Sequence, residues 1–159
     1  MNNTLNIVGI GEVLWDVFPD GARFGGAPAN MICAITDLSD ENTKVSMVSA
    51  VGDDTLGDDA IAYLAKRQVA VELLDKVNYP TGTVTVMLDA SNQASYHFAD
   101  NCAWDNLAWS TQLAEAAVSV NAVCFGSLAQ RNVCSRDTIQ RFIHLVPKEA
   151  LKVFDVNLR

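Results

Sequence analysis

The sequence predicts an α/β fold around a largely parallel sheet flanked by helices. Apolar runs of strand length alternate with segments of helical periodicity along the 159 residues. Glycine, proline and aspartate clusters punctuate the joints. Half of the residues, 50%, are hydrophobic, which lets a chain of this length bury a sizeable core as one domain. No internal repeat, low-complexity tract or interdomain linker divides it.

The first apolar run, Leu5 to Val17, reads as one strand. Ala29 to Leu38 follows as a helix, with Met31, Ile32, Ile35 and Leu38 on one face and Pro28 suited to its first turn. Val45 to Val51 is a second strand. Asp53, Asp54, Asp58 and Asp59 then crowd the start of a helix carrying Leu56, Ala60, Ile61 and Leu64, and Lys66 and Arg67 lie near its end. That charge order favours the helix dipole at both ends. The Asp-x-Asp-x-Asp-Gly order of a calcium loop is absent, so helix capping explains the aspartates better.

Between Thr81 and Phe98 the pattern changes to a hairpin: Thr83 to Leu88, polar Ser91-Asn92-Gln93, then Ala94 to Phe98. Inserted among βα units, it reads as a flap beside the main sheet. The α/β rhythm resumes with a helix from about Thr111 to Ser119 and a strand, Ala122 to Gly126. Ser135 is positioned to cap a helix whose Ile139, Phe142, Ile143 and Val146 share a face before Pro147. Leu151 to Leu158 reads as the last strand, with Asp155, Asn157 and Arg159 alternating to one side where ligands of parallel sheets gather.

Composition and motifs remove several function classes. A formal net charge of -8 and a pI near 4.5 disfavour nucleic acid and anionic membrane surfaces as partners. Mean hydropathy is +0.14, no stretch reaches transmembrane length, and Met1-Asn2-Asn3-Thr4 lacks the features of a secretory signal, so a cytoplasmic protein is expected. Cys33, Cys102, Cys124 and Cys134 are widely spaced and read as reduced thiols, Cys33 and Cys124 as core residues. His97 and His144 stand alone. Gly9-Ile10-Gly11 is not followed by the third glycine or the helix of a dinucleotide fingerprint, and neither a P-loop nor a nucleophile elbow occurs.

Gly25-Gly26-Ala27-Pro28-Ala29-Asn30 is the stretch richest in chemistry. Two glycines permit close approach of a polar small molecule, and Asn30 offers both a donor and an acceptor. The same residues also make ordinary turn punctuation before a helix, and both readings stand.

In order along the chain, Gly9-Ile10-Gly11-Glu12-Val13-Leu14-Trp15-Asp16, the Gly25 to Asn30 unit, Ala50 to Gly57, Pro80-Thr81-Gly82-Thr83, Asn101-Cys102-Ala103-Trp104, Gly126-Ser127-Leu128 and Asp155 to Arg159 form a set. That set resembles the ribokinase/pfkB family of ATP-dependent sugar kinases, and within it the fructokinases. The resemblance implies a ribokinase-like fold with a small β lid, of which residues 1–159 are the N-terminal, sugar-binding half, truncated before the C-terminal half. The lid segments are then approximately 13–26 and 79–101. Sugar hydroxyls are expected at Asp16, Gly25, Gly26 and Asn30, with Phe98 and Asn101 at the hairpin's return facing the sugar. Arg159 falls near the phosphoryl-transfer site, as a substrate contact and transition-state charge stabiliser, and Asp155 and Asn157 in the phosphate and metal environment, with no direct metal ligand.

Members of the family are about twice this length. Their Gly-Ala-Gly-Asp turn, which carries the catalytic base, and their adenine pocket have no counterpart here; Ala50-Val51-Gly52-Asp53 matches an earlier structural glycine signature, so Asp53 is not the base. ATP and Mg2+ are expected for the full-length enzyme, without tight binding to this chain alone. Phosphoryl transfer needs a positioned donor, metal and base, so the chain alone is expected to be inactive. The alternatives are a non-catalytic module that binds sugar or dimerises through its lid, and a truncated remnant without function. A homodimer through the lid or an exposed sheet edge is expected.

Overall fold

The computed structural model describes residues 4–88 and 94–157. Its main sheet comprises β1 (Leu5–Ile10), β4 (Thr43–Gly52), β5 (Leu74–Val77), β8 (Ala122–Gly126) and β9 (Leu151–Asp155), in the order β5-β4-β1-β8-β9. Every neighbouring pair is parallel. The chain winds outward from β1 through β4 to β5, then returns to the other side of β1 to lay down β8 and β9. The direction of winding therefore switches between β1 and β8, the place where a parallel sheet opens a crevice at the carboxyl ends of its strands.

Alternation along the central strands builds a core on each face. Val45, Met47 and Val51 of β4 pack with helices α1 (Ala27–Leu38) and α2 (Thr55–Lys66), through Ala29, Ile32 and Cys33 and through Ala60 and Leu64. Val8 and Ile10 of β1 and Val48 and Ala50 of β4 pack on the opposite side with helices α3 (Thr111–Ala117) and α4 (Val133–Leu145). Period two in the strands and 3.6 in the helices make this three-layer arrangement the natural burial of the sequence.

A second sheet of four strands lies apart from the first. It contains β2 (Leu14–Phe18), β3 (Gly21–Gly25), β6 (Gly82–Leu88) and β7 (Ala94–Phe98), in the order β3-β2-β6-β7. β2 pairs antiparallel with β3 and parallel with β6, and β6 pairs antiparallel with β7.

Several sequence expectations need correction. Leu5 to Val17 is not one strand: the chain breaks after Ile10 at Gly11, whose φ of 149° lies outside ordinary strand geometry, and β2 joins the other sheet. β3 and β5 were not anticipated, because Gly21–Gly25 and Leu74–Val77 are short and mixed in polarity. Helix α1 starts at Ala27, and its buried face is Pro28, Ala29, Ile32 and Cys33, whereas Leu38 is 89% exposed. Asn132, not Ser135, caps α4, accepting from the Cys134 amide; Ser135 is buried and donates to the Ala129 carbonyl. β9 ends at Asp155, and Asn157 lies beyond it with φ 34°, so strand alternation does not carry through to Asn157. Leu158, Arg159 and the Ser91-Asn92-Gln93 turn lie outside the described residues.

The capping reading of the aspartates holds at Asp54, the N-cap of α2, whose Oδ1 accepts from the Gly57 amide at 2.8 Å. The same carboxylate also accepts from the Thr81 hydroxyl at 2.6 Å and the Thr81 amide at 2.8 Å. It thereby ties the helix to the start of β6. Asp54→Ala removes three hydrogen bonds at once, the helix cap among them, and we expect it to lower stability by about 2–3 kcal/mol in urea denaturation without a change in slope.

Candidate functional site

The crevice at the switch point is a cavity of about 470 Å³. Its floor comes from the carboxyl ends of the parallel strands: Glu12 after β1, Ser127 and Leu128 after β8, and Asn157 after β9. One wall is the first turn of α1, with Gly26, Ala27 and Asn30. The opposite wall belongs to the smaller sheet, whose Leu14, Asp16, Val84 and Phe98 face inward. Asp16 on β2 stands opposite Val84 on β6, and Val84 opposite Phe98 on β7, so three lining residues form one cross-strand row.

Two glycines permit this closure. A Cβ on Gly25 would lie 2.6 Å from Asp16 Oδ2, so a side chain there would displace that carboxylate. A Cβ on Gly26 would lie 2.3 Å from the Glu12 carbonyl oxygen, and its φ of 106° suits glycine independently. The pair thus lets the β1–β2 turn, β2 and the helix start converge. Asn30, one turn into α1, is exposed at the cavity mouth.

Glu12 is the buried charge of the site, 2% exposed. Its Oε1 accepts from the Ala27 amide at 3.2 Å, while Oε2 is buried without a hydrogen-bond partner. Burial pushes this carboxyl above its ordinary range, backbone amides of Glu12, Ala27 and Ala129 offset part of the rise, and the charge of Asp155 adds to it.

Of the residues singled out from the sequence, Asp16, Gly26, Asn30, Phe98 and Asn157 line this one cavity. Gly25 sits directly behind Asp16. Asn101 is exposed outside the lining, with φ 50° and its side-chain oxygen accepting from Asn106. Asp155 lies at the end of β9 and outside the lining, although Glu12 feels its charge. Arg159 is outside the described residues. Sequence reasoning missed Glu12, Ser127 and Leu128 as lining residues. Glu12 was hidden inside what read as a continuous strand, although a glutamate in an apolar run was a signal. Ser127 donates to the Val156 carbonyl at 2.8 Å and so fixes the backbone beside Asn157.

An ion pair between the buried Asp105 and the more exposed Arg131 holds the return of β7 beside this cavity. The Arg131 guanidinium donates to both carboxylate oxygens of Asp105, at 2.8 and 2.7 Å, and to the Ala99 carbonyl, while lying 4.2 Å from the centre of the Trp104 ring. Burial raises the Asp105 carboxyl, but hydrogen bonds from Arg131 and Cys102 more than offset it, and the net shift is downward. Cys102, which donates to that carboxylate, is pushed up to about 12 by burial and the adjacent negative charge, so it stays a thiol.

The pfkB family carbohydrate kinase model matches residues 11–159. This chain belongs to the pfkB family of carbohydrate kinases. A sugar kinase of Pyrococcus horikoshii is 31% identical over 136 residues, covering 85% of this chain and 43% of its own length. Its crystal structure superposes with a TM-score of 0.85 at 29% identity, over 97% of this chain and 53% of that one. A fructokinase of Vibrio cholerae gives a TM-score of 0.78 at 26% identity, over 98% and 54%. The chain thus spans about half the length of these relatives, and its fold is the ribokinase-like fold of their structures. A further structure of the Pyrococcus horikoshii kinase is in complex with ATP.

Arg131→Met leaves the buried Asp105 carboxylate with its Cys102 donors but no cationic partner, and we expect a loss of about 2–4 kcal/mol by urea denaturation at neutral pH. Because Asp105 has a lowered folded pKa, its contribution is present above the unfolded carboxylate pKa and fades as pH falls through the folded value. The gap between wild type and variant therefore narrows on acidification.

Proposed function

We propose that this chain is the sugar-binding half of an ATP-dependent carbohydrate kinase of fructokinase type, the N-terminal part of an enzyme that transfers the ATP γ-phosphate to a sugar hydroxyl. The observation that carries the reading is the convergence of Asp16 on β2 of the smaller sheet and Asn30 on helix α1 on one cavity with an apolar flank. A sugar offers hydroxyl donors and acceptors on its edges and C–H faces between them. Carboxylates accept from hydroxyls, Asn30 both donates and accepts, and the Phe98 ring with Leu14, Val84 and Leu128 suits the C–H face.

In this reading Asp16, Gly25, Gly26, Asn30 and Phe98 hold the sugar, Asn101 and Arg159 complete its surroundings, and Asp155 and Asn157 belong to the phosphate and metal side. The smaller sheet acts as the lid over the sugar. Among the described residues, no three His, Cys, Asp or Glu side chains gather into a metal site. No Gly-Ala-Gly-Asp turn occurs in the sequence, and the chain alone does not turn over in this reading.

The reading also includes a cytoplasmic setting, consistent with the four free cysteines, and self-association through the outer face of the smaller sheet or the β9 edge. Met87 on the former, and Leu151 and Phe154 on the latter, are exposed.

Calorimetry with D-fructose and a panel of neutral hexoses and pentoses tests the sugar site. We expect saturable binding by at least one sugar, weakened about tenfold or more in Asp16→Asn, the range for loss of a charged hydrogen bond. The chain joined to the C-terminal half of a family relative should phosphorylate that sugar, while the chain alone should not. Absence of binding by every sugar, or of activity in the joined protein, overturns the reading.

A further inference from the structure

Glu12 has a place in the cavity that the sugar contacts do not explain. It is 2% exposed, lines the cavity, and holds one carboxylate oxygen on the Ala27 amide while the other is buried without a partner. Helix α1 needs that contact, because its N-cap residue Gly26 offers no side-chain acceptor and Pro28 has no amide hydrogen. A carboxylate at this end also complements the helix dipole. The turn is anchored twice: the Glu12 carbonyl fills the space where a Gly26 side chain would stand, and its carboxylate holds the next amide. One residue outside the helix therefore sets where α1 begins, and so where Asn30 sits, one turn later.

We propose that Glu12 is a positioning residue for the sugar: its carboxylate caps α1 from across the β1–β2 turn and holds Gly26 and Asn30 against the ligand. This rests on the sugar-binding reading of the cavity. The role belongs to the ionised form, which accepts from the Ala27 amide. The charged groups facing it are Asp16 from β2, which shares the cavity, and Asp155 from β9, which disfavours its ionisation; α1 presents no titratable side chain in its first turn. Since burial raises the Glu12 carboxyl, acidification neutralises it before ordinary carboxylates, and the grip on α1 loosens there.

The test is D-fructose binding by calorimetry across a pH series for the wild type, Glu12→Gln and Glu12→Ala, with the Ala27 amide followed by nitrogen-proton NMR. In the wild type, affinity should fall on acidification above the ordinary carboxylate range, and the Ala27 amide should titrate with it. Glu12→Gln should lose both responses. Glu12→Ala should bind about tenfold more weakly at neutral pH, and Glu12→Gln should recover part of that loss by keeping an acceptor. Should Glu12→Ala fail to fold, the wild type and Glu12→Gln carry the comparison. An acid limb unchanged in Glu12→Gln, or an Ala27 amide that does not titrate, overturns the role of Glu12 while sugar binding stands. A wild type that binds neither fructose nor any other sugar, with Ala27 still titrating, overturns the sugar reading itself and this role with it.

Discussion

The close approach of the β1–β2 turn to the first turn of α1 is the constraint on which the rest of the site depends. Gly11 breaks the strand, Glu12 carries the turn, and Gly26 lets helix backbone come within contact of the Glu12 carbonyl. Any side chain at Gly26 would push these segments apart, and Gly25 plays the same part for the Asp16 carboxylate. Without this convergence the smaller sheet would not stand over the carboxyl ends of β1 and β8. The cavity is thus a consequence of two glycines on one segment meeting two carboxylate-bearing positions, Glu12 and Asp16, on another.

The smaller sheet is held at its seams rather than across its face. On one side, Trp15 donates to the Leu56 carbonyl at 3.0 Å and packs edge-on to Phe24, which stacks on Tyr63 of α2. At the entry to β6, Asp54 grips Thr81, and Gly82 passes close under Trp104. At the exit from β7, Arg131 holds Ala99. β2 and β3 are consequently fixed to α2 through aromatic packing, whereas β6 and β7 are tied to the body at the entry and exit of the hairpin.

Much of this was legible in the sequence, and the exceptions have physical causes. The alternation of strands and helices, the hairpin and the two cores follow from periodicity, and β8 matched its expected limits because Ala122–Gly126 is short, apolar and bounded by turn residues. The break at Gly11 was not legible: an unbroken apolar run looks the same whether it continues or leaves for another sheet, and only the tertiary pairing of β2 with β6 decides. Leu38 shows the opposite failure, an apolar residue at the right helical spacing but past the edge of the sheet that would bury it. Asn30 could be named because the glycines before it mark close approach, and Asp16 because the ordered motif set resembles the family. Glu12 and Ser127 could not, because their roles arise from contacts with the Ala27 amide and the Val156 carbonyl, neither of which is local in sequence.

The same contacts explain why the cavity tolerates two carboxylates side by side. Among the described residues its lining holds Glu12 and Asp16 and no cationic side chain. An ion pair is not what stabilises Glu12; backbone amides and the helix end do so, and they leave its second oxygen uncommitted. Asp16 is spared burial by its place on the wall facing the mouth, where it is only half-buried. A site built this way presents acceptors to hydroxyl groups without a competing cation in its described lining. Neutralising Glu12 would weaken the helix end that holds Asn30 and at the same time lessen repulsion toward Asp155, so protonation trades geometry for charge. Geometry is the larger of the two effects, because Asn30 and Gly26 both depend on where α1 starts, whereas Asp155 lies outside the lining.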